Sequence, residues 1–283
     1  MTINSGYTIS CFVSLTLLFC CMAGCSEVET DSTGNEEWKL SSFQLSGLSA
    51  MHQDASLPPL HAYVFVEDVL EKVHNNLIIG TDETVDIPYV EGGTVYFFSG
   101  PDAVGTNLDG LVEGRTSLHD FLNLRTPALE ASTNHPDIFY SGKATGKEVS
   151  LTPGVARINL KIKNNADIKV TKIILYYTSE SVAIFSYGSP AVQQGDNRTI
   201  EFPEGSTGEM ENICQLYETT RKVQAYIYAL YNGSPSVRTV YFPQHIQRGY
   251  QYTLTLTDVG TTVEGTIQTD PWTDGGIIEA TPE

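Results

Sequence analysis

The sequence predicts an all-β protein built from antiparallel β-sandwich domains, and three observations carry that expectation. Ala156-Arg-Ile-Asn-Leu-Lys-Ile-Lys163 and Tyr250-Gln-Tyr-Thr-Leu-Thr-Leu-Thr257 alternate apolar and polar residues with period two, the mark of strands with one dry face. Turn signals such as Tyr231-Asn-Gly-Ser-Pro235 punctuate the chain between runs of this kind. No long amphipathic helix interrupts the series, so βαβ units and a parallel sheet are not expected.

At the N-terminus, Cys11 to Ala23 is apolar and uncharged. As a helix it would reach roughly 20 Å, short of the ~30 Å hydrocarbon core. That suits the h-region of a signal peptide over residues 1–24 better than a membrane span. Met22-Ala23-Gly24-Cys25 follows and resembles the lipobox of bacterial lipoproteins, with cleavage between Gly24 and Cys25 and acylation of the Cys25 thiol. The n-region departs from the usual pattern because it holds no Lys or Arg. A plain secretory signal cleaved elsewhere, with Cys25 incidental, is the alternative. Residues 25–37 read as a polar tether carrying Glu27, Glu29, Asp31, Glu36 and Glu37 without periodicity. Ser26 after the cysteine resembles lipoproteins sent to the outer membrane. The acidic run resembles the surface-export signals of some Gram-negative anaerobes.

From Trp38 the pattern alternates. His61–Val66, Thr84–Val90 and Thr94–Ser99 are strand candidates, with Glu91-Gly92-Gly93 as the turn between the last two. Ser117–Leu124 reads as a short helix with Ser117 as N-cap and Leu118, Phe121 and Leu122 on one face. The domain boundary falls in the Gly/Lys-rich stretch Ser141–Lys147, which divides the chain into an N-terminal domain over 38–146 and a C-terminal domain over 147–283. A single continuous sandwich is the alternative. In the C-terminal half Ala156, Ile158, Leu160 and Ile162 should face a core, with Val170–Thr178 as a partner strand. Lys222–Leu230 and Val237–Phe242 should form a hairpin about 231–235. Tyr250, Tyr252, Leu254 and Leu256 should point inward, and Val263–Thr269 should be the last strand.

The formal net charge is −18 and the pI about 4.6, which argues against nucleic acid or an anionic membrane surface as partner. Four of the five cysteines lie at or before position 25, so Cys214 stands alone in the folded part and no intrachain disulfide is expected there. The six histidines, at 52, 61, 74, 119, 135 and 245, make no HxxxH or HxH pair, so no metal site is expected. Gly142–Lys147 fails as a phosphate loop, with Ser141 before it and Glu148 after it. Asp270 and Asp274 lack the spacing of a calcium loop.

Cys214 with His245 could be imagined as a nucleophile pair, but a lone cysteine in an apolar run is more often a core residue. Glu209 and Glu211 could act as acid and base, but acidic pairs in Gly/Ser-rich loops are usually solvated. With no catalytic constellation and no cofactor motif, an enzyme is not expected. Tyr226, Tyr228 and Tyr231 fit either cross-strand packing or an exposed aromatic platform for glycans.

Four features together resemble the fimbrillin-type proteins of Gram-negative anaerobes, the pilins and anchors of type V fimbriae. They are the lipobox at Cys25, Phe139-Tyr-Ser-Gly-Lys143, Leu151-Thr-Pro-Gly-Val-Ala-Arg-Ile-Asn-Leu160, and Gly249-Tyr-Gln-Tyr-Thr-Leu-Thr-Leu256 followed by Asp270-Pro-Trp-Thr-Asp-Gly275. The resemblance implies two transthyretin-like β-sandwich domains and a lipoprotein of the cell outer membrane, acylated on Cys25 with palmitate-type chains. It also implies a role in cell adhesion as part of a fimbrium, with other fimbrial subunits as partners joined by β-strand complementation. Shaft pilins of that family are cut after an arginine near the start of the first domain. Here no Arg precedes Arg115, and Lys39 is the early basic residue. A FimB-like anchor or accessory subunit is therefore expected rather than a shaft pilin. A surface lipoprotein that binds host or bacterial glycans is the alternative.

Overall fold

The structure is a computed structural model that describes residues 37–47, 58–163, 167–185, 192–258 and 263–272. The first half contributes eight strands: β1 (Lys39–Ser46), β2 (Leu60–Val66), β3 (Val69–Leu77), β4 (Thr84–Tyr89), β5 (Thr94–Ser99), β6 (Tyr140–Thr145), β7 (Glu148–Ser150) and β8 (Thr152–Pro153). They run in the order β3-β2-β5-β6-β7-β1-β4, with β8 also on β6. β6 is the corner: Tyr140–Lys143 pair with β5, whereas Ala144 and Thr145 pair with β7. Gly142 sits at this bend, where a Cβ would lie 2.5 Å from the Ser150 carbonyl oxygen. The two arms enclose Phe43, Leu45, Val64, Val85, Ile87 and Phe97. The Gly/Lys-rich stretch Ser141–Lys147 is thus strand and tight turn.

β2 and β5 are buried on both faces, which explains why their sequences are continuous apolar runs rather than alternating ones. Ala62, Val64, Val95 and Phe97 point into the first core. Tyr63, Phe65, Tyr96 and Phe98 point into a second, which is covered by the connection between β5 and β6. That connection holds the short helices α1 (Asp102–Gly105) and α2 (Leu118–Leu122). Ser117 caps α2 as expected, its hydroxyl accepting from Asp120 N at 3.1 Å, and Phe121 is wholly buried beneath it. The polar edge strand β3 escaped the sequence patterns. Its solvent-facing residues lack alternation, and its turn uses Glu67 and Asp68 at positive φ rather than glycine.

The second half contributes β9 (Ala156–Lys163), β10 (Ile168–Tyr176), β11 (Ser179–Val182), β12 (Val192–Gln194), β13 (Arg198–Ser206), β14 (Glu209–Leu216), β15 (Lys222–Tyr231), β16 (Ser234–His245), β17 (Tyr250–Asp258) and β18 (Val263–Pro271). Sheets ordered β13-β10-β15-β16 and β14-β9-β17-β18 face each other. Between them lie Ile158, Leu160, Ile173, Ile227, Tyr252 and Leu254, all 1% exposed or less. The β15–β16 hairpin turns on Asn232 and Gly233, both at positive φ as a two-residue hairpin turn requires.

The expected β9–β10 pairing is not what forms. β9 lies between β14, antiparallel, and β17, parallel, while β10 belongs to the opposite sheet. Alternation specifies which face of a strand is dry. Two strands that arch across a core satisfy it as well as two that lie side by side. β1 and β7 form a second parallel pair, so among the described residues the all-β sandwich architecture is antiparallel with two exceptions.

The two halves join closely after β8. A Cβ at Gly154 would lie 2.1 to 2.5 Å from ring carbons of Phe139, which is itself fully buried. Gly154→Ala is therefore expected to cost about 1–3 kcal/mol by overpacking, read as a lower urea midpoint with an unchanged slope.

Candidate functional site

Gly24 and Cys25, the expected cleavage and lipidation residues, lie outside the described residues, as do residues 1–36 and His52. Among the described residues, the first strand is the feature closest to the expected strand chemistry. In Lys39-Leu-Ser-Ser-Phe-Gln-Leu-Ser46 only Phe43 and Leu45 are buried. Phe43 packs on Tyr89 and Phe97, with ring centroids 5.5 and 5.7 Å away. The Lys147 ammonium lies 4.5 Å from the Phe43 centroid and 4.0 Å from that of Tyr89, a cation–π contact on both rings. Burial holds the Lys147 amine below its ordinary pKa.

The backbone of β1 is paired along Lys39–Gln44 with β4, but only Gln44–Ser46 pair with β7. Leu45 N donates to Glu83 O at 2.9 Å and Leu151 N donates to Ser46 O at 2.9 Å. Gly47 ends the strand at φ +82°, against the Leu151 carbonyl. Beside its first residues a cleft of about 530 Å³ opens, lined by Lys39, Ser41, Tyr89, Glu91 and Lys147. β1 is thus an extended segment held by two apolar side chains and a backbone ladder, seated between two other strands. A strand of that chemistry can be supplied from the same chain or from another one.

The last strand is firmly seated. β18 pairs with β17 from Tyr250↔Pro271 to Asp258↔Val263 without a register shift. Arg238 Nε of the opposing sheet donates to Val263 O at 3.0 Å. Trp272 closes the end: its N donates to Gly249 O at 2.7 Å, and the Arg157 guanidinium lies 4.2 Å from its ring centroid. Val263–Thr269 is thus the strand expected from the sequence, and it is held along its length.

The other singled-out residues do not converge. Cys214 is wholly buried in β14 beside Ile158, and burial pushes its thiol far above the usual range, so it is a core residue. Glu209 pairs with Lys161 at 2.8 Å, and Glu211 is exposed next to it. His61 Nδ1 lies 2.8 Å from Asn75 Oδ1, and His74 Nε2 lies 3.1 Å from the Pro88 carbonyl oxygen. Among the described residues no group of three His, Cys, Asp or Glu side chains could hold a metal ion. Tyr226 and Tyr228 are half-buried in cross-strand contacts: Tyr226 is edge-on to Tyr176 at 4.9 Å, and Tyr228 lies beneath Lys172 at 4.6 Å. Tyr231 donates to Asp258 Oδ1 at 2.7 Å. Tyr241, 61% exposed, is the open ring of this face.

A joint between the two halves has no signature in the sequence. Residues 180–185 leave the second half and bind the first: Leu129 N donates to Glu180 O, Thr126 N to Val182 O and Ile184 N to Leu124 O, each at 2.9 Å. Phe185 then enters the cluster of Tyr63, Tyr96, Phe98 and Phe121. Arg248 fastens the segment from the other side, donating to Ala183 O at 2.7 Å, Ile184 O at 3.0 Å and Glu218 Oε1 at 2.6 Å. No local pattern could reveal this, because its members are separated by tens of residues and each looks like an ordinary strand or turn residue.

No family model and no curated protein matches the sequence. Solved structures do match. The tip fimbrial protein Mfa3 of Porphyromonas gingivalis, with C-terminal truncation, is 14% identical over 83% of this chain and 99% of that one, with a TM-score of 0.58. A candidate cell adhesion protein from Bacteroides eggerthii is 15% identical over 84% of this chain and 98% of that one, at 0.52. Another from Parabacteroides distasonis is 12% identical over 82% and 96%, at 0.50. At these identities the likeness is one of fold, and it spans nearly the whole of each compared structure.

Proposed function

We propose that this chain, whose fold is fimbrillin-like, is a non-enzymatic cell-surface subunit of a fimbria, held in the outer membrane by acyl chains on Cys25. The observation that supports this most is the shared architecture over 99% of the tip fimbrial protein Mfa3. Its partners are other fimbrial subunits, joined by strand complementation at grooves of the kind β1 occupies. The absence of an Arg before Arg115 favours an intact first strand, and hence an anchor or accessory subunit rather than a cut shaft pilin. A division into two sandwich domains belongs to the same proposal, supported by the change of strand partners between Pro153 and Ala156, which leaves β7 and β8 on the first-half sheet. Surface glycans are the alternative partner, for which the exposed Tyr241 ring is the supporting feature.

Several acyl chains on one residue make anchoring effectively permanent. Cys25→Ser should therefore move the protein from the outer-membrane fraction into the medium, and for an anchor should release fimbriae with it. Retention of the serine variant in the membrane, or a surface form whose N-terminus begins past β1, would overturn the proposal.

A further inference from the structure

A cleft of about 630 Å³ opens between the β2–β3 hairpin and the α1 region, a size typical of ligand sites. Its floor is Tyr63, Phe98 and Leu108, and its rim carries Asp102, Asp109 and Glu113. Tyr63 is 3% exposed, its ring wedged against Phe121 and Phe185 at 5.2 and 6.0 Å. What reaches the cleft is its phenol end, and among the described residues no group hydrogen-bonds that hydroxyl. The residue is otherwise enclosed, so this oxygen meets the solvent of the cleft and is free to hydrogen-bond an incoming polar group. Asp109 is near enough to add to the rise that burial imposes on the Tyr63 pKa.

The rim is negatively charged and incompletely neutralised. Glu113 accepts from Val73 N at 2.8 Å and from Lys72 Nζ at 3.3 Å. Among the described residues Asp102 and Asp109 have no ion-pair partner. This charge repels anions. A sugar would need a ring face to stack on, and Phe98 is only 2% exposed. A cation on an apolar stem matches both layers, with the stem against Leu108, Leu111 and Val73 and the head between the carboxylates and the phenol oxygen.

We propose that this cleft docks a lysine or arginine side chain of a partner polypeptide. Charge complementarity identifies the partner's chemistry, and the proposal does not depend on the lipid anchor or on fimbrial assembly. The test titrates detergent-purified mature protein with acetyl-arginine amide and acetyl-lysine amide, with neutral acetyl-citrulline amide as control, followed by ligand-observed NMR at low salt. Saturable binding of at least one cationic probe is expected, at least about tenfold tighter than citrulline, and weakened about tenfold or more by Asp109→Asn. Tyr63→Phe, which keeps the ring and removes only the unpaired hydroxyl, should weaken it several-fold without lowering the melting temperature. Citrulline binding as tightly as arginine, no saturation by either cationic probe, or unchanged affinity in Asp109→Asn would overturn the assignment. So would displacement of the bound probe by neutral oligosaccharides.

Discussion

Phe185→Ala is expected to lower the unfolding free energy by about 3–5 kcal/mol, the range for deleting a buried aromatic ring. Phe185 is 1% exposed and stacks on Phe121 at 4.4 Å, with Tyr96 at 5.6 Å and Tyr63 at 6.0 Å. The ring comes from the second half, and its ring neighbours, Phe98 among them, come from the first. Its loss therefore opens a cavity and also removes an apolar tie between the halves. Urea unfolding followed by far-UV circular dichroism should show a lower midpoint and a transition that broadens or splits as the halves uncouple. A loss below about 1 kcal/mol with an unbroadened transition would mean that the cluster refills the space, and the joint would not be the coupling element.

Arg248→Met should cost a comparable about 3–5 kcal/mol, for an electrostatic reason. The Arg248 and Glu218 side chains are only 11% and 9% exposed, and their oxygen–nitrogen distance is 2.6 Å. Removing the guanidinium strands a buried carboxylate and also takes the donors from the Ala183 and Ile184 carbonyls. The double replacement Arg248→Met with Glu218→Met should recover much of the loss, because the stranded charge goes with its partner. A double variant no more stable than the single one would show that the carbonyl contacts, rather than the ion pair, hold the segment. Thermal melts of the four forms, arranged as a double-mutant cycle, separate these outcomes.

Two kinds of strand can be read in the sequence: those that alternate because one face is wet, and the short apolar runs of β2 and β5, which are buried on both faces. β9 and β17 carry their alternation openly, and the hairpin of β15 and β16 is announced by Asn232-Gly233. The helix at Ser117 was readable from its cap and apolar face. Residues such as Cys214 were readable as core because an apolar neighbourhood has few other uses. β3 has no such pattern, its residues being mostly polar and solvent-facing, and β13 is interrupted by Pro203, Glu204 and Gly205, which read as a turn. That β9 and β10 lie in opposite sheets is not legible, because dry faces carry no information about which strand lies beside which.

The cleft at Tyr63 had no sequence signature either. Its acidic residues are spread from Asp102 to Glu113 in a loop, and only the fold places a buried phenol beneath them. By itself the sequence determined the all-β class and the inward faces of the regular strands, and it supplies processing at Gly24 and Cys25 as an expectation. These depend on periodicity and on short contiguous motifs. Only the tertiary structure decided the seating of β1, the joint at Phe185 and Arg248, and the firm hold on β18. Each of those rests on contacts between residues far apart in the chain, which form only when the sheets close over their shared cores.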